Sequence, residues 1–346
     1  MGRGLGRPLA GAEKLVKAPG FWAEDGILAR LLTPLALLYT AAGAARHRLA
    51  APRDVGIPVI CVGNLVAGGA GKTPVALSLG SRLSSAGRSI AFLTRGHGGS
   101  LVGPVQVQPG THGPQEVGDE ALLLAEARPS WVARDRVAGA LAAREAGAEL
   151  IIMDDGFQNP SLAKTLSLVV IDGGFGFGNR RVHPAGPLRE PVESGLGRAD
   201  AAVLIGADPN DLAATLPRTL PLLRADIVAD RGARLKAGDR VFGFAGIGRP
   251  EKFRETLGSL DLEVTGFEAF ADHHAFTTAE LDSVLAAAAR DNATPVTTAK
   301  DHVRLPQSLQ DKVERVNITL AWRDEAALAA LLDRILNHGD VNHGPG

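Results

Sequence analysis

The chain has 346 residues, of which 45% are hydrophobic and 22% are charged, so it is globular and long enough for two domains. Its formal net charge of −1 gives no support for nucleic acid as the main partner. Its single cysteine, Cys61, excludes an intramolecular disulfide and fits a buried position in a protein of a reducing compartment.

Residues 1–54 form a basic segment, in which residues 1–53 carry eight Lys or Arg and three acidic residues, a balance of +5. The apolar stretch within it, residues 31–45, is 15 residues long, whereas a bilayer-spanning helix needs about 20. A signal peptide fits poorly because this stretch begins so far from the first residue. Two interpretations remain: a helix in the interface of an anionic membrane, or an ordinary amphipathic helix packed on the domain.

A predicted buried strand (58–62), a glycine-rich turn and a predicted helix (75–83) follow one another, as a phosphate-binding loop requires. Glycine N–H groups and the helix N-terminus attract phosphate oxygens, so the turn is expected to bind nucleotide. We expect Lys72 to reach the β- and γ-phosphates and the Thr73 hydroxyl to bind Mg²⁺. The strict motif has glycine where this chain has Val66, so a tight turn that merely contains a lysine is the alternative. The predicted nucleotide contacts are Gly68, Gly69, Ala70, Gly71, Lys72, Thr73 and Pro74.

Two further predicted strands lead into arginines. Residues 89–93 run into Arg95 and His97 among glycines, where α/β proteins place ligands. The strand-like residues 131–133 lead to Arg134 and Arg136, for which a solvated helix start is the alternative. Asp119 opens a predicted helix between them, and on spacing alone it is most often a cap.

The apolar strand predicted at residues 149–153 runs into Asp154 and Asp155. After a phosphate loop this is typical of the Walker B carboxylates that hold Mg²⁺. Adjacent strand residues point to opposite faces, so one acid is expected to address the metal and the other a neighbouring loop. The long loop at residues 173–191 carries Arg189 and Glu190, and its concentrated cations indicate an anionic substrate.

From about residue 229 the pattern restarts and predicts a second, smaller α/β lobe, with an amphipathic helix at residues 278–290 and a last strand at residues 316–322 before a C-terminal helix. Strands alternate with helices throughout, so we expect a P-loop-type, mostly parallel sheet with helices on both faces. The predicted domains are residues 1–54, 55–228 and 229–346. A structural or base role is expected for the adjacent His273 and His274, since neighbouring histidines rarely bind one metal ion.

Taken together, these segments resemble the tetraacyldisaccharide 4'-kinase family, the lipid A kinases of Gram-negative bacteria. The resemblance runs in order from about residue 15 to the last predicted strand, and the missing first glycine of the phosphate loop is usual in the family. The matching segments are APGFW (18–22), VGNLVAGGAGKTP (62–74), TRGHGG (94–99), GDEALLLA (118–125), DDGFQ (154–158), VVID with FGN (169–172, 177–179), PAGPLREP (184–191), FAGIGRP (244–250), ADHH (271–274) and TAKD (298–301).

The resemblance implies a two-lobed enzyme held at the cytoplasmic face of the inner membrane by its N-terminal helix. It implies transfer of the ATP γ-phosphoryl group, with Mg²⁺, to the 4'-hydroxyl of a tetraacylated glucosamine disaccharide 1-phosphate, without nucleic acid or an obligate protein partner. One alternative is a membrane-associated P-loop ATPase or GTPase without a lipid acceptor; a GTPase would carry an N-K-x-D strand end, which residues 298–301 lack. A non-enzymatic scaffold would not need the basic loop beside a complete phosphate loop.

By resemblance, Lys72 and Thr73 match phosphate and Mg²⁺ contacts, and Asp154 and Asp155 match the metal carboxylates. Asp119 becomes a base for the sugar hydroxyl, because it matches a catalytic acid that pairs with a histidine matching His273. The two residues fall in different predicted lobes, so lobe closure is expected to assemble the site.

Further predicted contacts surround this pair. Glu190 matches a functional position, and the predicted substrate contacts are Arg95, His97, Arg134, Arg136, Gln158, Asn159 and Arg189. His97 stands where the family usually has Tyr. Asn159 stands where the family usually has His, which weakens proton chemistry at that position.

Overall fold

The computed structural model describes residues 19–22, 24–232, 234–248 and 250–338. They divide into a larger unit, residues 19–230 and 316–338, and a smaller unit, residues 231–315. Residues 1–18 and 23 of the predicted N-terminal domain lie outside the described part of the chain, as do residue 18 of the APGFW segment and residue 249 of the FAGIGRP segment.

The larger unit begins with a short 3-10 helix, Gly20–Trp22, and alternates strands and helices thereafter. Its helices up to residue 230 are α1 (Ile27–Leu31), α2 (Thr33–Leu49), α3 (Lys72–Ser85), α4 (Pro114–Val117), α5 (Asp119–Ala127), α6 (Arg136–Glu145), α7 (Val192–Leu196) and α8 (Leu212–Thr215). Its strands over the same range are β1 (Val59–Gly63), β2 (Ile90–Thr94), β3 (Val105–Gln106), β4 (Ser130–Val132), β5 (Leu150–Asp154), β6 (Leu166–Asp172), β7 (Ala201–Ile205) and β8 (Leu222–Asp230).

The smaller unit repeats the alternation and has its own core. Its elements are β9 (Arg240–Ala245), α9 (Pro250–Ser259), β10 (Glu263–Ala269), α10 (Thr278–Arg290), β11 (Thr294–Thr298), α11 (Ala299–His302) and α12 (Gln307–Gln310). Strand β9 lies between β10 and β11 and is parallel to both. Phe244, Phe270, Leu281 and Val284 form the centre of this core, with the Phe244 and Phe270 rings packed edge to face.

Two C-terminal elements, β12 (Glu314–Trp322) and α13 (Glu325–His338), return to the larger unit. Strand β12 pairs antiparallel with β8, from Asn317 opposite Asp230 to Trp322 opposite Ala225. Helix α13 buries leucines in the main core, among them Leu328. The predicted domain 229–346 therefore differs from the observed smaller unit, because hydrogen bonding and apolar packing attach the chain end to the earlier strands.

The sheet of the larger unit has the order β12-β8-β7-β6-β1-β5-β2-β4-β3. Neighbours from β8 to β4 are parallel, whereas the outer β12 and β3 pair antiparallel. Strands β1, β2, β5 and β7 are buried over their whole length, as expected for parallel strands that read as continuous apolar runs. The α/β fold class with a mostly parallel sheet is thus confirmed, and the loops that follow β1, β2, β4 and β5 meet at one edge of the sheet.

Helices α1 and α2 present their large apolar side chains to solvent. Within them Ala29 and Ala36 are buried, whereas Ile27, Leu31 and Leu38 are 79%, 71% and 68% exposed. This arrangement does not fit the second interpretation of the segment, an amphipathic helix that packs its apolar face on the domain. Among the described residues, no helix is both long enough and apolar enough to cross a bilayer.

Candidate functional site

The phosphate loop connects β1 to α3 and ends at Gly71, the residue before the first turn of α3. Gly71 has φ +86°, and a Cβ there would lie 2.6 Å from Ile205 Cδ1, so only glycine fits the turn. Asn64 spans the loop by donating from Nδ2 to the Gly68 carbonyl at 3.3 Å. The loop thus places Lys72 and Thr73 at the N-terminus of a 14-residue helix, where phosphate oxygens bind favourably.

Asp154, the last residue of β5, lies beside the start of α3 and is 1% exposed. Its Oδ2 accepts a hydrogen bond from Thr73 Oγ1 at 2.9 Å, while its Oδ1 is buried without a hydrogen-bond partner. Burial, together with the nearby Glu120 carboxylate, raises the pKa of Asp154 to about 7, although Lys72 and Thr73 act in the opposite direction. An orphaned carboxylate oxygen beside a hydroxyl is the donor set that Mg²⁺ uses together with phosphates, so the residues fit that ion.

Asp155 has a left-handed backbone, φ +54°, and its carboxylate faces other partners. Arg189 donates to both of its oxygens, at 2.7 and 3.2 Å, and Lys72 Nζ lies 3.7 Å from Oδ1. Burial alone would raise the pKa of Asp155, but Lys72 and Arg189 outweigh it and hold the pKa below its usual value. The two adjacent acids therefore face different elements: Asp154 faces α3, and Asp155 faces the loop at residues 173–191.

Gln158 links the phosphate loop to the same long loop. Its Nε2 donates to the Asn64 carbonyl at 2.9 Å and to Glu190 Oε1 at 3.1 Å. Arg198 completes the chain by donating to Glu190 Oε2 at 2.7 Å, and its guanidinium lies 5.2 Å from the centre of the Phe157 ring. Sequence reasoning did not select Asn64 or Arg198; Asn64 lies inside the matched VGN segment, whereas no sequence signal marks Arg198.

Arg136 is the first residue of α6 and is 4% exposed, so it is not part of a solvated helix start. It donates from Nη1 to the Ala133 carbonyl, and its Nε is buried without a hydrogen-bond partner. Burial and the positive charge of Arg95 lower the pKa of Arg136 to about 10, opposed in part by Asp155. The neighbouring Arg134 is exposed, as the alternative expected, and Asp135 caps α6 by accepting from two backbone N–H groups.

Asp119 is the first residue of α5 and is 4% exposed, whereas the N-cap position belongs to Gly118. Gly118 has φ +84°, and a Cβ there would collide with the His97 carbonyl oxygen. The backbone of the exposed His97 therefore lies against Gly118, the residue directly before the buried Asp119. In contrast, Asn159 Oδ1 accepts from the backbone N–H and hydroxyl of Ser161, at 3.0 and 2.9 Å, so its side chain stabilises a turn.

The adjacent histidines of the smaller unit have separate partners. Arg304 Nη2 lies 3.3 Å from Nδ1 of His273, a residue with φ +58°, whereas His274 Nε2 lies 3.0 Å from Glu280 and its ring stacks on Phe270. His274 is thus a structural residue. Within the described part of the chain, no group of three or more His, Cys, Asp or Glu is arranged to hold a metal ion.

Residues 28–337 match the sequence profile of a family described as tetraacyldisaccharide-1-P 4'-kinase. Proteins named tetraacyldisaccharide 4'-kinase from Rhodospirillum rubrum and Rhodospirillum centenum are 51% and 52% identical to this chain, over 93% and 95% of its length and 98% and 99% of theirs. The fold is similar to a crystal structure of the apo form of LpxK from Aquifex aeolicus in complex with ATP. That match has a TM-score of 0.74 and 27% identity and covers 89% of this chain and 99% of the other.

Proposed function

Because this chain belongs to the tetraacyldisaccharide 4'-kinase family, a family of lipid A biosynthetic kinases, we propose that it transfers the γ-phosphoryl group of ATP to the 4'-hydroxyl of a tetraacylated glucosamine disaccharide 1-phosphate. The observation that supports this most strongly is the placement of Lys72 and Thr73, at the start of α3, against Asp155 and Asp154. This is the arrangement expected of a site that grips a triphosphate.

The phosphate loop from Gly68 to Thr73 cradles the β- and γ-phosphates, and Lys72 balances their charge. Thr73 and Asp154 are the residues that would hold Mg²⁺, since both oxygens of Asp155 accept from Arg189; when bound, the ion neutralises charge on the phosphates. Arg189, fixed on Asp155 by two hydrogen bonds, adds a second cation beside Lys72. These residues place the γ-phosphoryl group and stabilise the charge that moves onto the leaving ADP.

The 4'-hydroxyl oxygen bonds to the γ-phosphorus while the bond from that phosphorus to ADP breaks, and Asp119 accepts the hydroxyl proton. His273 acts as the partner of Asp119. A guanidinium has only donors, so Arg304 requires Nδ1 of the neutral His273 ring to accept, and the ring proton resides on Nε2. This tautomer can donate to a carboxylate. The remaining proposed contacts to the anionic acceptor are Arg95, His97, Arg134, Arg136 and Gln158, and Glu190 is proposed as a further catalytic residue.

Helices α1 and α2 are proposed to lie on the cytoplasmic face of the inner membrane, where the acyl chains of the acceptor remain. Ile27, Leu31 and Leu38 are exposed, and the exposed Arg30 and Arg46 bound the apolar stretch at residues 31–45. Exposed apolar groups between cations favour the interface of an anionic bilayer.

The test is an assay of ATP consumption in detergent with and without the lipid disaccharide, with detection of phosphate on the lipid. We expect consumption to require the lipid, and consumption without it would favour the ATPase alternative. Asp119→Ala and His273→Ala are expected to lower the turnover number by roughly 10²–10⁴-fold while ATP still binds. His274→Ala is the matched control, since that ring contacts Glu280 and Phe270. Near-normal turnover in either of the first two variants would remove the proposed pair.

A further inference from the structure

The loop at residues 173–191, here called the connecting loop, contacts both the exposed apolar helices and the phosphate loop. Its helix side is held by Arg181, which donates from Nε to Asp25 and from Nη1 to Thr33 Oγ1, both at 2.7 Å. Asp25 lies two residues before Ile27, the first residue of α1, and Thr33 is the first residue of α2. One guanidinium therefore binds the start of both helices, in a planar geometry that only arginine offers.

Asn179 makes a second attachment on the helix side. Its backbone N–H donates to the Trp22 carbonyl at 2.9 Å, its Nδ2 donates to the Phe21 and Ala185 carbonyls at 3.0 Å each, and its Oδ1 accepts from the Arg181 N–H at 3.0 Å. The His183 ring packs edge to face against both Trp22 and Tyr39. The connecting loop is thus fixed in one position relative to the helices.

The other end of the connecting loop is bonded to the phosphate loop through the backbone. Arg189 N–H donates to the Leu65 carbonyl, and Ala67 N–H donates to the Pro187 carbonyl, both at 2.7 Å. Leu188 joins the two ends, because its N–H donates to the Arg181 carbonyl at 3.1 Å and its carbonyl accepts from His183 at 2.8 Å. A few hydrogen bonds therefore connect α1 and α2 to the loop that holds the nucleotide.

We propose that the connecting loop couples the seating of α1 and α2 on a lipid surface to the phosphate loop, with Arg181 as the positioning residue of the coupling. This rests on the proposed function. Seating on lipid fixes the helices, the connecting loop fixes residues 65–67, and the phosphate loop then binds a triphosphate more tightly. Linkage requires the reverse as well, so a bound triphosphate tightens lipid association by the same factor.

The test measures the affinity of the full chain for a non-hydrolysable ATP analogue, with and without vesicles of phosphatidylglycerol and phosphatidylcholine. For the wild type we expect the vesicles to tighten analogue binding by roughly fivefold or more. Arg181→Gln is expected to bind the analogue as tightly as the wild type off vesicles and to bind vesicles, yet to show no vesicle effect on analogue affinity. The matched control is Arg180→Gln, since the adjacent Arg180 pairs with the exposed Glu193 at 3.3 Å and keeps the coupling intact.

The coupling is refuted if vesicles leave the wild-type affinity unchanged or if Arg181→Gln keeps the whole effect. If circular dichroism shows that Arg181→Gln does not fold, Thr33→Val takes its place. This variant removes one of the two groups that accept hydrogen bonds from Arg181 and is expected to lose part of the vesicle effect on analogue affinity. A full vesicle effect in Thr33→Val would contradict the coupling. Phosphorylation of the lipid disaccharide, assayed on the same samples, separates the two ideas. A wild type that phosphorylates the lipid without a vesicle effect refutes the coupling alone, and one that binds no analogue overturns both.

Discussion

The side chain of Arg304 bonds three groups at once and is 4% exposed. It donates to Asp301 Oδ1 and the Gly246 carbonyl, both at 2.8 Å, and approaches Nδ1 of His273 at 3.3 Å. Asp301 is completely buried, so the pair with Arg304 maintains the smaller unit as well as orienting the His273 ring. A positioning role and a structural role therefore meet in one residue, and a test has to separate them.

The Arg304→Lys variant separates the positioning role of this residue from its structural role. An ammonium keeps the charge beside Asp301 but cannot bond the carboxylate, the Gly246 carbonyl and the imidazole in one plane. We expect the turnover number to fall by about tenfold or more while KM for ATP stays within about twofold, which corresponds to losing about 1.4 kcal/mol of transition-state stabilisation. Steady-state kinetics and thermal unfolding of the same samples check this. An unchanged turnover number in a folded variant would contradict the role given to Arg304.

At the scale of single residues, patterns that follow local geometry were predictable from the sequence. Strand alternation predicted that Asp154 and Asp155 would face different partners. They do, but β5 ends at Asp154 and the left-handed backbone of Asp155 turns its side chain toward Arg189. Burial of Arg136 was not predictable, because its neighbours Arg134 and Asp135 are exposed and only the packing of α6 against the sheet decides the difference. Arg198 was missed for a related reason: its link to Glu190 depends on how the chain turns through α7.

At the scale of elements, the start of α10 carries a titratable cap. Thr277 accepts from the Glu280 N–H, while Glu280 Oε2 accepts from the Thr277 N–H at 2.8 Å and pairs with His274 at 3.0 Å. Burial would raise the pKa of Glu280, but the hydrogen bonds from His274 and Thr277 outweigh it and lower the pKa to about 2, from an ordinary 4.5. Burial and the like charge of Glu280 raise the pKa of Glu268, a carboxylate of β10.

The depressed pKa sets the sign of the pH dependence. The cap contributes its full stabilisation above pH 4.5 and loses it as the pH falls toward 2, where Glu280 becomes protonated in the folded state. Compared with Glu280→Gln, we expect the wild type to be more stable by about 1 kcal/mol above pH 4.5, a modest value because the carboxylate is partly solvated. Urea unfolding of both proteins over this range measures the difference. A difference that stays constant down to pH 2 would show that the carboxylate charge does not act here.

Elements with a strong internal sequence pattern were predictable, whereas an element that depends on partners distant in sequence was not. Helix α10 matches the predicted range 278–290, since capping and periodicity define it locally. Strand β8 was not predicted, because it mixes buried and exposed positions and carries Arg224 and Asp226. Its partners in the sheet, β7 and β12, are distant in sequence from one another, so the pairing that stabilises it has no local signature.

At the scale of the molecule, the order of strands explains why the chain divides as it does. Strand β12 was expected in a second domain because it follows the second run of strands and helices. It pairs instead with β8, and the core of the larger unit takes up Trp322, whose Nε1 donates to Ser78 Oγ of α3 at 2.9 Å. Which strand accepts the chain end depends on long-range complementarity, so the linear alternation of elements could predict the fold class but not this boundary.

The exposed side of α1 and α2 yields the last prediction. Ile27 and Leu31 of α1 are four residues apart, Leu35 and Leu38 of α2 are three apart, and all four are more than half exposed. If they insert into a bilayer interface, each buried leucine contributes about 1.5–3 kcal/mol, so Leu31→Gln with Leu38→Gln should weaken binding to phosphatidylglycerol vesicles by about a hundredfold or more. Val102→Gln is the matched control, because Val102 is 55% exposed but lies outside these helices. Vesicle sedimentation measures the loss, and equal sedimentation of the double variant and the control would show that the apolar side does not contact lipid.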